Sequence, residues 1–399
     1  MPLYLLIRND LRLSNLDEAT LLVTVMMVAY FVPSYPMGRL ADRASRKQLL
    51  AWGLLINGVG FLCLGLSENY AWAIVSVVIC GVGGSCFHPA ATALIAGLYP
   101  EKPGRALGFL GIGASVGFFI GPLYSGWRGY ASGWRAPVLE LGVAGIVMAI
   151  LFWKFAEEGH RAEVMSHTPR ESLFANRRIL WMFLLMALGF SLRDFGGAGN
   201  ATLSSLYLQK AHGDTVEYAG RALSFVFLAS AISNPIFGHF SDRYRLRSAA
   251  VLLILSGISQ AALPHLSHGM FSVGLMTFGF FLMATFPVVE AALMQAVSPA
   301  IRASFFGLFI TIGGLLGNGS HWLMGRWVES LGELNKVPSN YIPLFTTLGV
   351  GVALSVVALP CLKALTEAKQ LARATAVLEP PQSPNPVASD LAKKLHDKL

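Results

Sequence analysis

The sequence predicts an all-α polytopic membrane protein built from two pseudo-symmetric helical bundles, and three observations carry that prediction. Hydrophobic residues make up 54% of the 399 positions against 13% charged, with a mean hydropathy of +0.57, outside the range of soluble domains. Apolar runs of about 20 residues, each long enough to cross a hydrocarbon core of ~30 Å, recur from end to end. The run Gly38-Arg39-Leu40-Ala41-Asp42-Arg43 returns 200 residues later as Gly238-His239-Phe240-Ser241-Asp242-Arg243, so the chain contains a repeat in one orientation.

The apolar runs give eleven spans, near 17–38, 48–67, 71–98, 106–126, 136–155, 179–208, 217–239, 248–265, 269–297, 303–325 and 341–362. The first five form an N-terminal bundle (1–155) and the last six a C-terminal bundle (179–362). A charged stretch at 156–178 joins them as a central loop. Residues 363–399 read as a charged helical piece followed by a Pro-rich tail (Pro380, Pro381, Pro384, Pro386), expected to be mostly disordered. The count is lopsided. Leu3-Tyr4-Leu5 matches Leu206-Tyr207-Leu208, just ahead of the next span in each half. The chain is therefore expected to start at the tail of its first helix, which needs ~25 more residues to complete a span.

Charge sets the topology. The net charge is +8, and Arg39, Arg43, Arg46, Lys47, Lys102, Arg105, Arg177, Arg178 and Arg245 all fall in connections on one side. The positive-inside rule then puts that side, with the central loop and the C-terminus, in the cytoplasm of a multi-pass inner-membrane protein. Basic residues spread over loops in this way argue against a nucleic-acid partner. The four cysteines lie in or beside apolar runs without metal-ligand spacing, and no cofactor is expected. His-Glu-x-x-His and phosphate-loop patterns are missing, and an enzyme is not expected.

Ionisable groups far from helix ends are costly in a bilayer and mark candidate sites. Arg193 lies ~21 Å along its span, with Asp194 beside it. Gly196, Gly197 and Gly199 follow and loosen the helix. Neighbours at i and i+1 do not face one another, so Arg193 and Asp194 are expected to find separate partners. Glu290 stands deep in the ninth span after Phe286-Pro287, His88 deep in the third, and Asn200 two turns beyond Arg193. These five residues form the candidate substrate and proton cavity. Arg193 would attract an anionic or zwitterionic solute, against the alternative of a structural pair with Glu290. Glu290, Asp194 and His88 are candidate proton carriers. For His88 a hydrogen bond to kinked backbone is the competing reading.

The stretch Gly38-Arg39-Leu40-Ala41-Asp42-Arg43-Ala44-Ser45-Arg46-Lys47 closely resembles the loop signature between helices 2 and 3 of the major facilitator superfamily. The second copy keeps Gly238, Asp242, Arg243 and Arg247. The resemblance implies two six-helix bundles around a central cavity, here with the first helix largely missing. Helices 1, 4, 7 and 10 line that cavity in the family, which places His88, Arg193 and Glu290 on cavity helices. It also implies a gating role for Gly38, Asp42, Arg43, Arg46, Lys47, Gly238, Asp242 and Arg243. The glycines would permit a tight exit from the helix, and the Asp42 carboxylate would favour one packing of the halves.

Gly113, Gly117, Gly121 and Pro122 in the fourth span resemble the family's antiporter helix, with Gly126 displaced by one from the usual spacing. Plain glycine packing is the alternative. Gly83-Gly84-Ser85-Cys86-Phe87-His88-Pro89 is similar to helix 4 of the fosmidomycin-resistance-like branch. Val77, four residues before Gly81, stands where many drug/proton antiporters carry an Arg. What the resemblance implies is proton-coupled efflux of a small anionic or amphipathic compound by alternating access, carried out by a monomer in the lipid bilayer. The competing readings are an importer of a small organic anion and a non-transporting sensor or inactive fragment.

Overall fold

The structure, a computed structural model, describes residues 2–98, 103–157, 174, 176–296 and 302–378. The helices in chain order are α1 (Tyr4–Asp10), α2 (Leu16–Arg43), α3 (Arg46–Gly65), α4 (Tyr70–Ser85), α5 (Phe87–Leu98), α6 (Pro103–Ser132), α7 (Arg135–Phe155), α8 (Arg177–Leu206), α9 (Val216–Ala262), α10 (Phe271–Gln295), α11 (Arg302–Ser330), α12 (Ile342–Leu354) and α13 (Leu359–Leu378). Among the described residues there is no strand. Among the described residues, seven helical stretches are long and apolar enough to cross a bilayer by themselves. They begin at Leu16, Arg46, Arg135, Arg177, Leu246, His268 and Pro338.

Four details depart from the sequence reading. The third span is not continuous: α4 stops at Ser85 and α5 starts at Phe87, with Cys86 in a turn between them. Pro89 has no N–H to offer the carbonyl four residues back, which weakens the helix at this point. The second detail concerns Gly38, which is not an exit. Helix α2 runs through it to Arg43, and the chain turns at Ala44 and Ser45, whose side chain accepts the Gln48 N–H at the start of α3. Third, no loop interrupts the second copy of the motif, because Gly238 to Arg243 keep helical backbone inside α9. Fourth, the last span is not one α-helix: α12 ends at Leu354, a short 3₁₀ stretch covers Ser355–Ala358, and α13 carries on through the expected helical piece to Leu378. Most of the central loop and residues 379–399 lie outside the described residues.

Helix α9 has 47 residues, which straight would measure ~70 Å, more than twice a hydrocarbon core. Neighbours show that it doubles back. Gly274 of α10 packs on Leu263 and Gly279 on Val226. Two positions ~7.5 Å apart on α10 thus meet Val226 of α9 and Leu263 just past its end, which a straight helix would hold ~55 Å apart. The element fills the place of the seventh and eighth spans of the sequence reading.

Phe183, Phe190, Leu252, Val288, Phe305 and Phe309 form the apolar core where α8, α9, α10 and α11 meet. A second core surrounds Tyr207, Phe271, Tyr341 and Phe345 and takes in Tyr4 and Leu16 from the other half. Tyr4 and Tyr207, the centres of the matched tripeptides, are both buried.

The halves meet along two seams. Antiparallel helices α2 and α11 approach closely enough that a Cβ on Gly325 would overlap the Thr20 hydroxyl, and one on Gly314 would lie 2.5 Å from the Phe31 ring. At the other seam Gly126 of α6 meets Gly220 of α9, where a Cβ on Gly220 would lie 2.8 Å from the Gly126 Cα. Phe118 stacks on Phe227 farther along, with ring centroids 5.1 Å apart. At the end that carries α1, Glu329 accepts the Leu16 N–H at 3.3 Å and pairs with Arg8 at 3.5 Å.

Candidate functional site

Arg193 sits sixteen residues into α8, ~24 Å from its start, and is 2% exposed. Its partner is Asp194, contrary to the expectation from helix geometry. Nε lies 2.9 Å and Nη2 2.8 Å from the same carboxylate oxygen, Oδ1. Spacing between Cα atoms decides whether short side chains face each other, whereas the arginine side chain is long enough to bend round to its neighbour. The guanidinium lies 3.9 Å from the Phe286 ring centroid on α10 and 5.5 Å from that of Phe190 one turn back, a geometry that holds a cation through the ring quadrupoles. Nη1 is buried with no hydrogen-bond partner. Glu290, one turn beyond Phe286, stands within electrostatic reach of both Arg193 and Asp194.

Glycines on α11 make room for this cluster. A Cβ on Gly313 would lie 2.6 Å from Asp194 Oδ2, and one on Gly317 2.8 Å from Asp194 Cβ. Gly113 and Gly117, their equivalents 200 residues earlier on α6, have nothing within 4 Å of such a Cβ, and the same holds for Gly121. Close packing on α6 falls instead near Pro122 and Gly126, against Gly220.

His88 belongs to a different cluster, in the first half. Tyr30 meets it edge-on at 6.0 Å and Phe87 tilts against it at 5.6 Å. Tyr30, Asn57, Cys86 and Phe87 line an apolar cavity of about 390 Å³ beside it. The two clusters approach each other across α11: Gly313 faces Asp194, the next residue Gly314 faces Phe31, and Phe31 packs on Tyr30 at 5.0 Å. Gly313 and Gly317 stand 200 residues after Gly113 and Gly117, so the repeat points to them, whereas neither Gly314 nor Phe31 carries a signal in the sequence. Asn200 is buried two turns beyond Arg193 and accepts from Ser204 on its own helix at 3.4 Å, so it is not part of the charged cluster. The side chains of Asp42, Arg43, Gly238, Asp242 and Arg243 lie outside the described residues. Arg46 and Lys47 open α3.

A further titratable group lies outside the spans, where α8 connects to α9. His212 stacks on His268 at 4.6 Å, His268 Nε2 lies 3.3 Å from Asp214 Oδ1, and Tyr218 stacks on His268 at 5.3 Å. Burial, with the neighbouring His268, lowers the His212 pKa from 6.5, and Asp214 pulls it the other way. Burial raises the Asp214 pKa from 3.8 against the opposing pull of the two imidazoles.

The family profile described as Major Facilitator Superfamily matches residues 1–319. The chain belongs to the major facilitator superfamily. It is a multi-pass membrane transporter of small molecules, as members of this superfamily are. Its relatives include the quinolone resistance protein NorA of Staphylococcus aureus (strain Mu50 / ATCC 700699), 24% identical over 373 residues that cover 88% of each chain. Multidrug resistance protein 2 of Bacillus subtilis (strain 168) is 24% identical over 72% of this chain and 74% of its own. Among solved structures, a bacterial homologue of the human lysosomal transporter Spinster, inward-facing and occupied, matches with a TM-score of 0.68 at 19% identity, covering 92% of this chain and 91% of that one. The nucleoside transporter NupG matches with a TM-score of 0.67 at 18% identity, covering 90% and 93%. These structural likenesses establish the major facilitator fold.

Proposed function

We propose that this transporter exports small anionic or amphipathic compounds in exchange for protons, as a monomer and by alternating access. The observation that carries the reading is Arg193, a buried guanidinium between two aromatic rings with Nη1 unpartnered. Such a group recognises a flat acid, because a planar fork of donors matches a carboxylate and the rings match an aromatic body. Glu290 supplies the opposite charge nearby. A zwitterionic aromatic solute places its acid on Arg193 and its cation on Glu290. A proton arriving on Glu290 removes the charge that holds the cation, so proton and solute compete, as exchange requires.

The names of the drug-resistance relatives support export of drug-like compounds. The basic connections support a cytoplasmic location for the face that carries the central loop. On that assignment, the seam contacts between Leu16 and Glu329 and between Gly126 and Gly220 lie toward the outside, which supports an inward-open state.

The test is accumulation of a fluorescent quinolone in proteoliposomes under an imposed pH gradient. Export by exchange predicts accumulation on the acidic side, abolished by Arg193→Glu with membrane insertion retained. Glu290→Gln should keep downhill exchange and lose the response to the gradient. Movement of solute together with the proton would support an importer of organic anions and defeat the export reading, as would a rate indifferent to pH.

A further inference from the structure

The α2–α11 seam contains a contact that close packing alone does not require. Thr24 Oγ1 donates to the Asn318 carbonyl at 3.0 Å and accepts the Trp322 N–H at 3.1 Å. Residues 318 and 322 are the carbonyl and amide that an α-helix pairs with each other. A hydroxyl from the opposite half therefore bridges a backbone pair of α11 and competes with the helix's own bond.

A second tie runs through buried side chains beside this seam, and its bond between the halves is the one from Tyr4 of α1 to Thr202 of α8. Asn318 Nδ2 donates to the Gly314 carbonyl at 2.8 Å, which turns Oδ1 toward His321 Nε2 at 3.3 Å. His321 Nε2 therefore carries the hydrogen, and Nδ1 accepts from Thr202 Oγ1 at 2.6 Å. Thr202 is then left to accept from the Tyr4 hydroxyl at 3.0 Å. Tyr4, Thr202 and His321 are each no more than 1% exposed. The result is a one-way relay from α1 through α8 to α11, with every donor matched to an acceptor. Separating the halves here would leave Tyr4 and Thr202 short of partners in a dry interior.

We propose that Thr24 and the Tyr4–Thr202–His321 relay form a two-point latch that holds this end of the halves shut, and that transport requires its release. The two points differ in kind. When Thr24 leaves, the Asn318 carbonyl and the Trp322 amide still have each other as helix partners, so opening costs little on the α11 side. The relay has no such substitute inside α11, and it supplies the specificity of closure. The latch is thus asymmetric, with α11 able to satisfy its backbone in either state, which is what a bistable element needs.

The test uses the full chain in proteoliposomes, with Cys63, Cys80, Cys86 and Cys361 replaced and a reporter at Leu16→Cys. Leu16 is fully buried at the seam. Labelling by a membrane-impermeant maleimide reports opening. Thr24→Val keeps the shape, removes the hydroxyl and leaves α11 its own bond. It should speed labelling about fivefold, the population shift expected from losing one net hydrogen bond. Thr24→Ser retains the bridge and should label at the parent rate. Tyr4→Phe, which removes only a hydroxyl, should act in the same direction, and the double variant should exceed either. Equal rates for Thr24→Val and Thr24→Ser would overturn the latch, as would slower labelling in Tyr4→Phe.

Discussion

The Arg193 guanidinium lies 3.9 Å from the ring centroid of Phe286, so the one deeply buried cation of α8 is held against an aromatic group of α10. That contact joins two helices of the second half at the candidate site. Arg193→Lys keeps the charge but loses the planar fork and its stacking. We expect the KM for a quinolone carboxylate to rise about tenfold or more, roughly 1.4 kcal/mol. Phe286→Ala should also raise it, by the ~0.5–2 kcal/mol of a cation–π contact. Concentration-dependent uptake into proteoliposomes reads both, and a wild-type KM in Arg193→Lys would remove the guanidinium from recognition.

The glycines of the repeat should respond unequally to one methyl group. Gly317→Ala would put a Cβ 2.8 Å from Asp194 Cβ and 3.0 Å from its carbonyl carbon, a backbone collision that costs about 1–3 kcal/mol. Gly113→Ala meets nothing within 4 Å and gains up to ~1 kcal/mol of helix propensity. Thermal unfolding in detergent should show a lowered midpoint for the first and an equal or higher one for the second. Equal losses would contradict the packing described.

At the α8–α9 connection, burial lowers the His212 pKa below its ordinary 6.5. The folded protein resists that proton, so the stability His212 contributes is complete above pH 6.5 and is lost as the pH falls through its folded value. Asp214 works in the other direction. Its raised pKa favours the folded state below 3.8, and that contribution is lost as the pH rises through the folded value. His212→Gln removes the first effect and, of the second, only the pull of its own imidazole on Asp214. Its midpoint temperature should therefore fall less than the wild type's between pH 7.5 and pH 5. An identical fall in both proteins would show that His212 does not carry the dependence.

The α6–α9 seam offers a separate handle. A Cβ on Gly220 would run into the Pro122 carbonyl and lie 2.8 Å from the Gly126 Cα, and neither is the movable end of a side chain. Gly220→Ala should push the seam apart. Spin labels at the exposed positions Tyr130 and Arg221 should report a longer or broader distance distribution than in the parent. An unchanged distribution would mean the seam tolerates the methyl group by local adjustment.

Hydropathy made the helices legible because a bilayer dictates length and composition, and the repeat made the two halves legible. The break at Cys86 was harder to see, since one proline in an apolar run is compatible with either a kink or an interruption. The two spans within α9 and the reversal between them were legible, but the helical backbone through the second motif was not, because that motif reads as a loop. Arg193, Asp194 and Glu290 were visible as charges in apolar runs, yet the Arg193–Asp194 pair was not, because Cα spacing ignores the reach of arginine. Thr24, Tyr4 and His321 form contacts that depend on the register of α2 against α11 and α1 against α8. Tertiary packing sets that register, and no local pattern announces it.

Gly313 and Gly314 are adjacent on one helix, so their faces are ~100° apart about its axis. One is filled by Asp194 of the second half and the other by Phe31 of the first. Any roll of α11 that relieves crowding on one side drives backbone into the other. The helix is keyed like a shaft with two flats, free to tilt or slide but not to spin. A change at the charged cluster is therefore expected to reach the first half as a tilt of α11.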